Sequence, residues 1–214
     1  MKMEKPNRKK EQAAKTKEKL YASAGRLFGQ YDFDDVSVDA IVEAAEVSKG
    51  TFYVHFESKD ALIASFLSDY VSQVDADYQA YLDTLPAETK ASDILLALIG
   101  KIADVIADII GYHRMRMVYK VQLTEAINME AVKGYNRELY KMFADVLDKG
   151  MQRGEFKTEL PLDIMTRHFV MAIRGLCYEW CIRYPDFDLK EQALAHFKLL
   201  LTGIEGVGAR HRTY

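Results

Sequence analysis

VSKGTFYVHF, residues 47–56, is the stretch on which the reading of the whole chain turns. Phe52 and Phe56 are four apart, one turn of a helix, and Ser48 stands where an N-cap belongs. With Val47 they are predicted to clamp a short helix onto Leu27, Phe28, Ile41 and Ala44. Gly50 falls in the first turn of that helix, where glycine costs about 0.5–1 kcal/mol against alanine. Donors surround it: Lys49, Thr51, Tyr53, His55 and the amides of Lys49, Gly50 and Thr51. A helix start attracts anions, and a missing side chain lets a ligand's backbone come close.

Working outward, Ser37 caps a preceding short helix whose inner face is Val38, Ile41, Val42 and Ala45. Glu46 and Val47 form a tight break. Leu20, Ala24, Leu27 and Phe28 mark a first helix over about 12–29. Three short helices with a tight turn before the third describe a helix-turn-helix, whose last helix faces the major groove of duplex DNA. Ser58 caps a fourth helix running to about Leu82. Further helices are predicted at about 91–111, 113–127, 129–151, 161–183 and 189–204. The expected fold is all-α: a basic flexible tail (1–11), a helix-turn-helix domain (12–57), and a larger helical domain (58–214), entered through a long helix.

The chain has 214 residues, 49% apolar and 29% charged, with four prolines, which suits a globular helical protein. It opens MKMEKPNRKK, with no apolar signal region, so a cytoplasmic location is expected. The most apolar stretch, ILLALIGKIADVIADII (94–110), carries Lys101, Asp104 and Asp108 and reads as a core helix, not a membrane span. Cys177 and Cys181 give neither a disulfide framework nor a metal spacing, and no metal or cofactor is expected. Phosphate loops, nucleophile elbows and His-Glu metal motifs are missing, so no enzymatic chemistry is assigned. The net charge of −3 hides a gradient: residues 1–19 hold eight Lys/Arg and three acids, whereas residues 20–60 hold three and eight. An anionic partner reached through the basic end follows from this.

Residues 20–62, LYASAGRLFGQYDFDDVSVDAIVEAAEVSKGTFYVHFESKDAL, resemble the DNA-binding domain of the TetR family of bacterial transcriptional regulators. The resemblance implies DNA contacts from Ser37, Ser48, Lys49, Gly50, Thr51, Tyr53, His55 and Lys59. The chain departs from the family pattern at Gln30, Val36 and Glu46, the last standing where glycine is usual in the turn. LDKGMQRGEF and the segments around IRGLCYEW and LLLTGI look like the family's closing helices, which pair with a second subunit. Ile173, Leu176, Trp180, Phe197 and Leu201 are the expected interface residues, from helices that are apolar on more than one side. Soft, bulky residues (Phe66, Tyr70, Tyr112, Met115, Tyr119, Tyr140, Phe143 and Phe169, with Met129 and Tyr135) are the expected lining of an effector pocket. The implied function is a homodimeric repressor released from a palindromic DNA operator by a small molecule. A helical carrier or adaptor without DNA specificity, or a helical enzyme, is the alternative.

Overall fold

The structure, a computed structural model, describes residues 5–124, 130–134 and 136–204. Met129 and Tyr135 lie outside them, as do residues 1–4 of the expected tail. The described elements are helical: α1 (Lys5–Phe28), α2 (Val38–Ala44), α3 (Lys49–His55), α4 (Lys59–Asp83), α5 (Ala91–Asp104), α6 (Tyr112–Thr124), α7 (Glu130–Lys133), α8 (Glu138–Gln152), α9 (Leu162–Arg183) and α10 (Leu189–Ile204). No described helix is long and apolar enough to cross a membrane.

The chain divides into two compact units. The first holds the described residues up to Tyr70 together with 116–124 and Glu130, and the second holds 71–115 with the described residues from Ala131 on. The division falls within α4 and within α6, further along the chain than the 57/58 boundary read from the sequence.

In the first unit, Leu20, Ala24 and Phe28 of α1, Ile41 of α2, Phe52 of α3 and Leu62 of α4 are buried together. Each of the Leu, Ile and Phe side chains among them contributes about 1.5–3 kcal/mol of apolar burial. Ser37, Ser48 and Ser58 accept the amides of Ala40, Thr51 and Ala61 at 3.1, 3.1 and 3.0 Å, so three successive helices start where a serine caps them. Glu46, in the turn between α2 and α3, has φ 55°, the left-handed region. Replacing it with glycine is expected to stabilise the protein by about 0.5–1 kcal/mol. The relieved backbone strain outweighs the greater freedom of glycine in the unfolded chain. Urea unfolding monitored by circular dichroism measures this, and a fall in stability would contradict the strain.

In the second unit, α5 packs against α10 and α8, and α8 against α9. Leu95, Leu98, Ile99, Phe143, Leu147, Met165 and Phe197 form its fully buried centre. Two segments depart from the sequence reading. The helix expected over 91–111 continues past Asp104 as a π-helical turn, Val105–Ile110, closed by the Gly111 amide on the Ile106 carbonyl at 2.9 Å. The helix expected over 129–151 is interrupted before α8. Arg137 there is extended (ψ 140°), which lets its guanidinium pair with Asp75 of α4 at 2.6 Å. A tertiary ion pair overrides local helix propensity at that point.

Candidate nucleic-acid interface

α3 is short, and its two sides differ in kind. Phe52 is fully buried and Phe56 nearly so, whereas Lys49, Gly50, Tyr53 and Val54 are exposed. Their positions (i, i+1, i+4, i+5) make one outward face. The Ser48 hydroxyl accepts the Thr51 amide and bonds the Thr51 hydroxyl at 2.8 Å. The sequence reading left three amides open at this helix start; the cap removes that of Thr51, so Lys49 and Gly50 supply the free donors. The Tyr53 ring stands edge-on to Phe52, with centroids 5.3 Å apart, and keeps its phenol outward. His55 is half-buried beside Phe56. Ser37 is exposed at the start of α2, and its hydroxyl proton remains for an outside acceptor.

Two cations expected on this surface are already engaged. The Lys59 ammonium donates to the carbonyls of Phe33 and Val36 at 2.7 and 2.9 Å and lies 4.2 Å from the Phe33 ring centroid. It therefore ties α4 to the α1–α2 connection. Lys49 pairs with Asp39 of α2 at 2.8 Å; the carboxylate's hydrogen bond, then its charge, raises the ammonium above its usual range. Lys49 is exposed, so a phosphate can draw it away at small cost.

Val54 is the residue the sequence reading missed. It is 81% exposed, an unusual place for a branched apolar side chain. The signal was present: with Phe52 and Phe56 turned inward, positions 53 and 54 must both face out. An apolar side chain on a groove-facing helix suits the methyl group of thymine.

Gly50 is exposed, and a Cβ built there would meet only the Ser48 hydroxyl oxygen, at 3.7 Å. Nothing in the fold demands a glycine. Gly50→Ala is therefore expected to keep or raise stability by about 0.5–1 kcal/mol while weakening DNA binding at least about tenfold. Thermal melting and mobility-shift titration check the two halves separately; unchanged DNA affinity would remove the close-approach role.

The residues expected to line an effector pocket are divided between the two units. Phe66, Tyr70 and Tyr119 belong to the first unit, where the Phe66 and Tyr70 rings stack with centroids 6.2 Å apart. In the second unit Phe143, Phe169 and Phe197 form a buried aromatic chain with centroid spacings of 6.5 and 5.6 Å. Tyr140 is buried under the Arg174 guanidinium. Tyr112 stacks on Tyr184 at 4.2 Å, with Trp180 against both, and Met115 is half-buried. A cleft of about 160 Å³ opens elsewhere in this unit, between the end of α4, the start of α5 and α8. Leu82, Leu85, Ile94 and Val146 wall it, and Lys149 and Arg153 stand at it.

The expected dimer residues are mostly covered by their own chain. Ile173, Trp180, Phe197 and Leu201 are 0–5% exposed, and Leu176 is half-buried. The four buried ones hold α9 and α10 onto the unit's core, whereas Leu176 keeps part of its surface. The uncovered face of α9 is Met171, Gly175, Tyr178 and Ile182, and that of α10 is Ala195, Leu199 and Gly203. Cys177 and Cys181 are buried; desolvation, with a smaller contribution from Cys181, pushes the Cys177 thiol up to about 12, which makes it inert near neutral pH. Among the described residues no three His, Cys, Asp or Glu side chains converge as a metal site requires.

Comparison with known proteins adds three findings. The family profile of bacterial regulatory proteins, tetR family, matches residues 20–66. The chain is 24% identical over 204 residues to the HTH-type transcriptional repressor KstR2 of Mycolicibacterium smegmatis, covering 94% of this chain and 96% of that protein. It is 26% identical to the HTH-type transcriptional regulator AcrR of Shigella flexneri, covering 90% of each. Among solved structures, the transcriptional regulator FadR of Bacillus subtilis, in complex with stearoyl-CoA, matches with a TM-score of 0.70 at 20% identity, over 87% of this chain and 98% of that one. At that identity the likeness concerns the fold.

Proposed function

Because the chain belongs to the TetR family of bacterial regulatory proteins, and is a DNA-binding transcriptional regulator, we propose that it represses its target genes as a homodimer and is released from a palindromic operator by a small-molecule effector. The observation that carries this reading is the outward face of α3, where Gly50, Lys49, Tyr53 and Val54 stand exposed beside an inward Phe52 and Phe56. Tyr53, Ser37, Thr51 and the Lys49 and Gly50 amides position the helix on phosphates, and Val54 and Lys49 read base edges. No chemistry is assigned to any side chain, and the protein acts in the compartment that holds its DNA.

A second copy seats on the uncovered face of α9 and α10. Two recognition helices then meet half-sites about one DNA turn apart. In α9, Gly175 has nothing within 4 Å of a built Cβ, so its own chain gives no reason for a glycine in a helix interior; a closely approaching partner helix does.

The effector class we favour is an acyl-CoA thioester, with the FadR–stearoyl-CoA complex as its support. The described cleft of about 160 Å³ is below the 300–1,000 Å³ of usual ligand pockets, so it does not by itself hold such a guest. Tyr112 and Met115, which remain half-buried, are the candidates to line the effector site. α4 and α6 each contribute residues to both units, which makes them the natural carriers of the effect. A guest that prefers one conformation shifts the population away from the DNA-binding one.

Selection from genomic fragments, followed by footprinting and titration with acyl-CoAs of graded length, tests the reading. A footprint of two inverted half-sites, lost on adding a long-chain thioester, is expected. Binding of every sequence alike sinks the regulator reading. A footprint indifferent to all thioesters sinks only the effector class.

A further inference from the structure

The surface that should meet DNA lacks free positive charge. Residues 20–60 hold eight acids and three cations, Arg26, Lys49 and Lys59. Lys59 is committed to two carbonyls and Lys49 to Asp39. A protein that binds duplex DNA gains much of its affinity by neutralising phosphates and releasing their counterions. Some other element must supply that neutralisation.

α1 is that element. The sequence reading made residues 1–11 a flexible tail, but the helix begins at Lys5. Residues 8–15 are all exposed, so two turns of α1 pack on nothing in the described chain. Arg8, Lys15, Lys19 and Arg26 are spaced by seven, four and seven residues, which puts them on one helical line; Glu11 and Glu18 fall on another. The opposite side of α1 is fixed to α4. There the Lys17 ammonium meets Asp69 at 2.9 Å, and the Tyr21 hydroxyl meets Ser65 and Asp69 at 2.7 and 3.0 Å. At its far end, the Arg26 guanidinium reaches the Ala44 carbonyl, at the end of α2 and beside the turn into α3, at 3.5 Å. Arg8, Lys15 and Lys19 form no ion pair with a described residue.

We propose that the Arg8–Lys15–Lys19–Arg26 line of α1 is a second DNA-binding surface, one that follows the phosphate backbone beside each half-site and supplies the charge neutralisation that the recognition helix lacks. This rests on the regulator reading above. It assigns α1 affinity and salt dependence, and leaves sequence choice to α3.

The test uses the full-length protein and the duplex returned by the genomic selection. The triple variant Arg8→Gln, Lys15→Gln, Lys19→Gln is compared with a charge-matched control, Lys10→Gln, Lys90→Gln, Lys157→Gln, from cations off the line. Affinities are measured by fluorescence anisotropy between 50 and 300 mM salt, an arbitrary but practical range for slopes of this kind. The triple variant is expected to lose about 0.9 in the slope of log affinity against log salt for each phosphate contact removed, while still selecting the same sequence. The control keeps the wild-type slope. Circular dichroism confirms equal helicity. An unchanged slope in the triple variant, or an equal loss in the control, overturns the proposal. So does triple-sensitive binding to phosphatidylglycerol vesicles with an unaltered DNA slope, which would make the line a membrane contact. If wild-type protein selects no sequence at all, the failure belongs to the regulator reading.

Discussion

Ile182→Glu combined with Leu199→Glu is expected to yield a folded monomer whose operator affinity is lower by two to four orders of magnitude. Both side chains are outward on the second unit, at 60% and 74% exposure, so neither substitution disturbs the core of its own chain. On α9 the exposed residues Met171, Gly175, Tyr178 and Ile182 recur at i, i+4, i+7 and i+11; on α10 Ala195, Leu199 and Gly203 recur every four. In a C2 dimer each glutamate would be buried twice, and an unpaired buried carboxylate costs several kcal/mol. That is enough to dissociate a micromolar or nanomolar dimer at working concentrations. A monomer then loses the effective-concentration advantage of two linked half-site contacts, which is about 10²–10⁴. Light scattering gives the mass and mobility shift the affinity. Trp180→Ala supplies the contrast. Trp180 is 4% exposed, so its truncation is expected to lower protomer stability by about 3–5 kcal/mol. If the double glutamate variant stays dimeric, the face has been placed on the wrong side of these helices.

The contrast between those variants also shows what a sequence can and cannot reveal here. α9 carries apolar residues on several sides, and nothing local says which side meets the chain's own core. The reading chose the bulkiest, Ile173, Trp180, Phe197 and Leu201, and bulk is what a core takes first. The face proposed for the partner is written instead in small and mid-sized residues, which look unremarkable until Gly175 is seen to have no neighbour. The helix-turn-helix was legible because its signals are local. Three serine caps and a run of inward residues at helical spacing fix α2, α3 and the start of α4 without long-range information. The fates of Lys49 and Lys59 were not legible, since their partners lie 10 and 23–26 residues away and are reached only in the folded unit. The start of α1 was misread for a related reason. Residues 5–15 have no apolar periodicity, yet Lys, Glu, Gln and Ala are good helix formers, and propagation from the packed half of α1 is easy once that half is nucleated. The effector site was the least legible part, because aromatic and methionine residues fill cores and line pockets with the same side chains.

Asp75→Ala is expected to destabilise the protein by about 3–5 kcal/mol. Asp75 is 3% exposed within α4. The Arg137 guanidinium grips it with Nε at 3.0 and 2.9 Å from the two oxygens and Nη2 at 2.6 Å from one, and the Leu139 amide adds a contact at 3.3 Å. The carboxylate thus accepts a forked cation and also caps the first turn of α8, where the helix dipole favours an anion. Removing it leaves a largely buried guanidinium, with a 15% exposed side chain, without its counter-charge. The loss comes mostly from that stranded charge and less from any net worth of the pair. Asp75→Ala with Arg137→Leu should therefore recover a substantial part of the stability, a coupling that a double-mutant cycle in urea measures directly. The pair joins the α4 segment of the second unit to the start of α8. Its loss should also lower the urea needed to open that unit and change the effector concentration at which DNA is released, even though neither residue touches DNA. An additive cycle would mean that Asp75 acts only through the α8 cap, and Asp75→Asn, which can still accept the Leu139 amide, would then match wild type in stability.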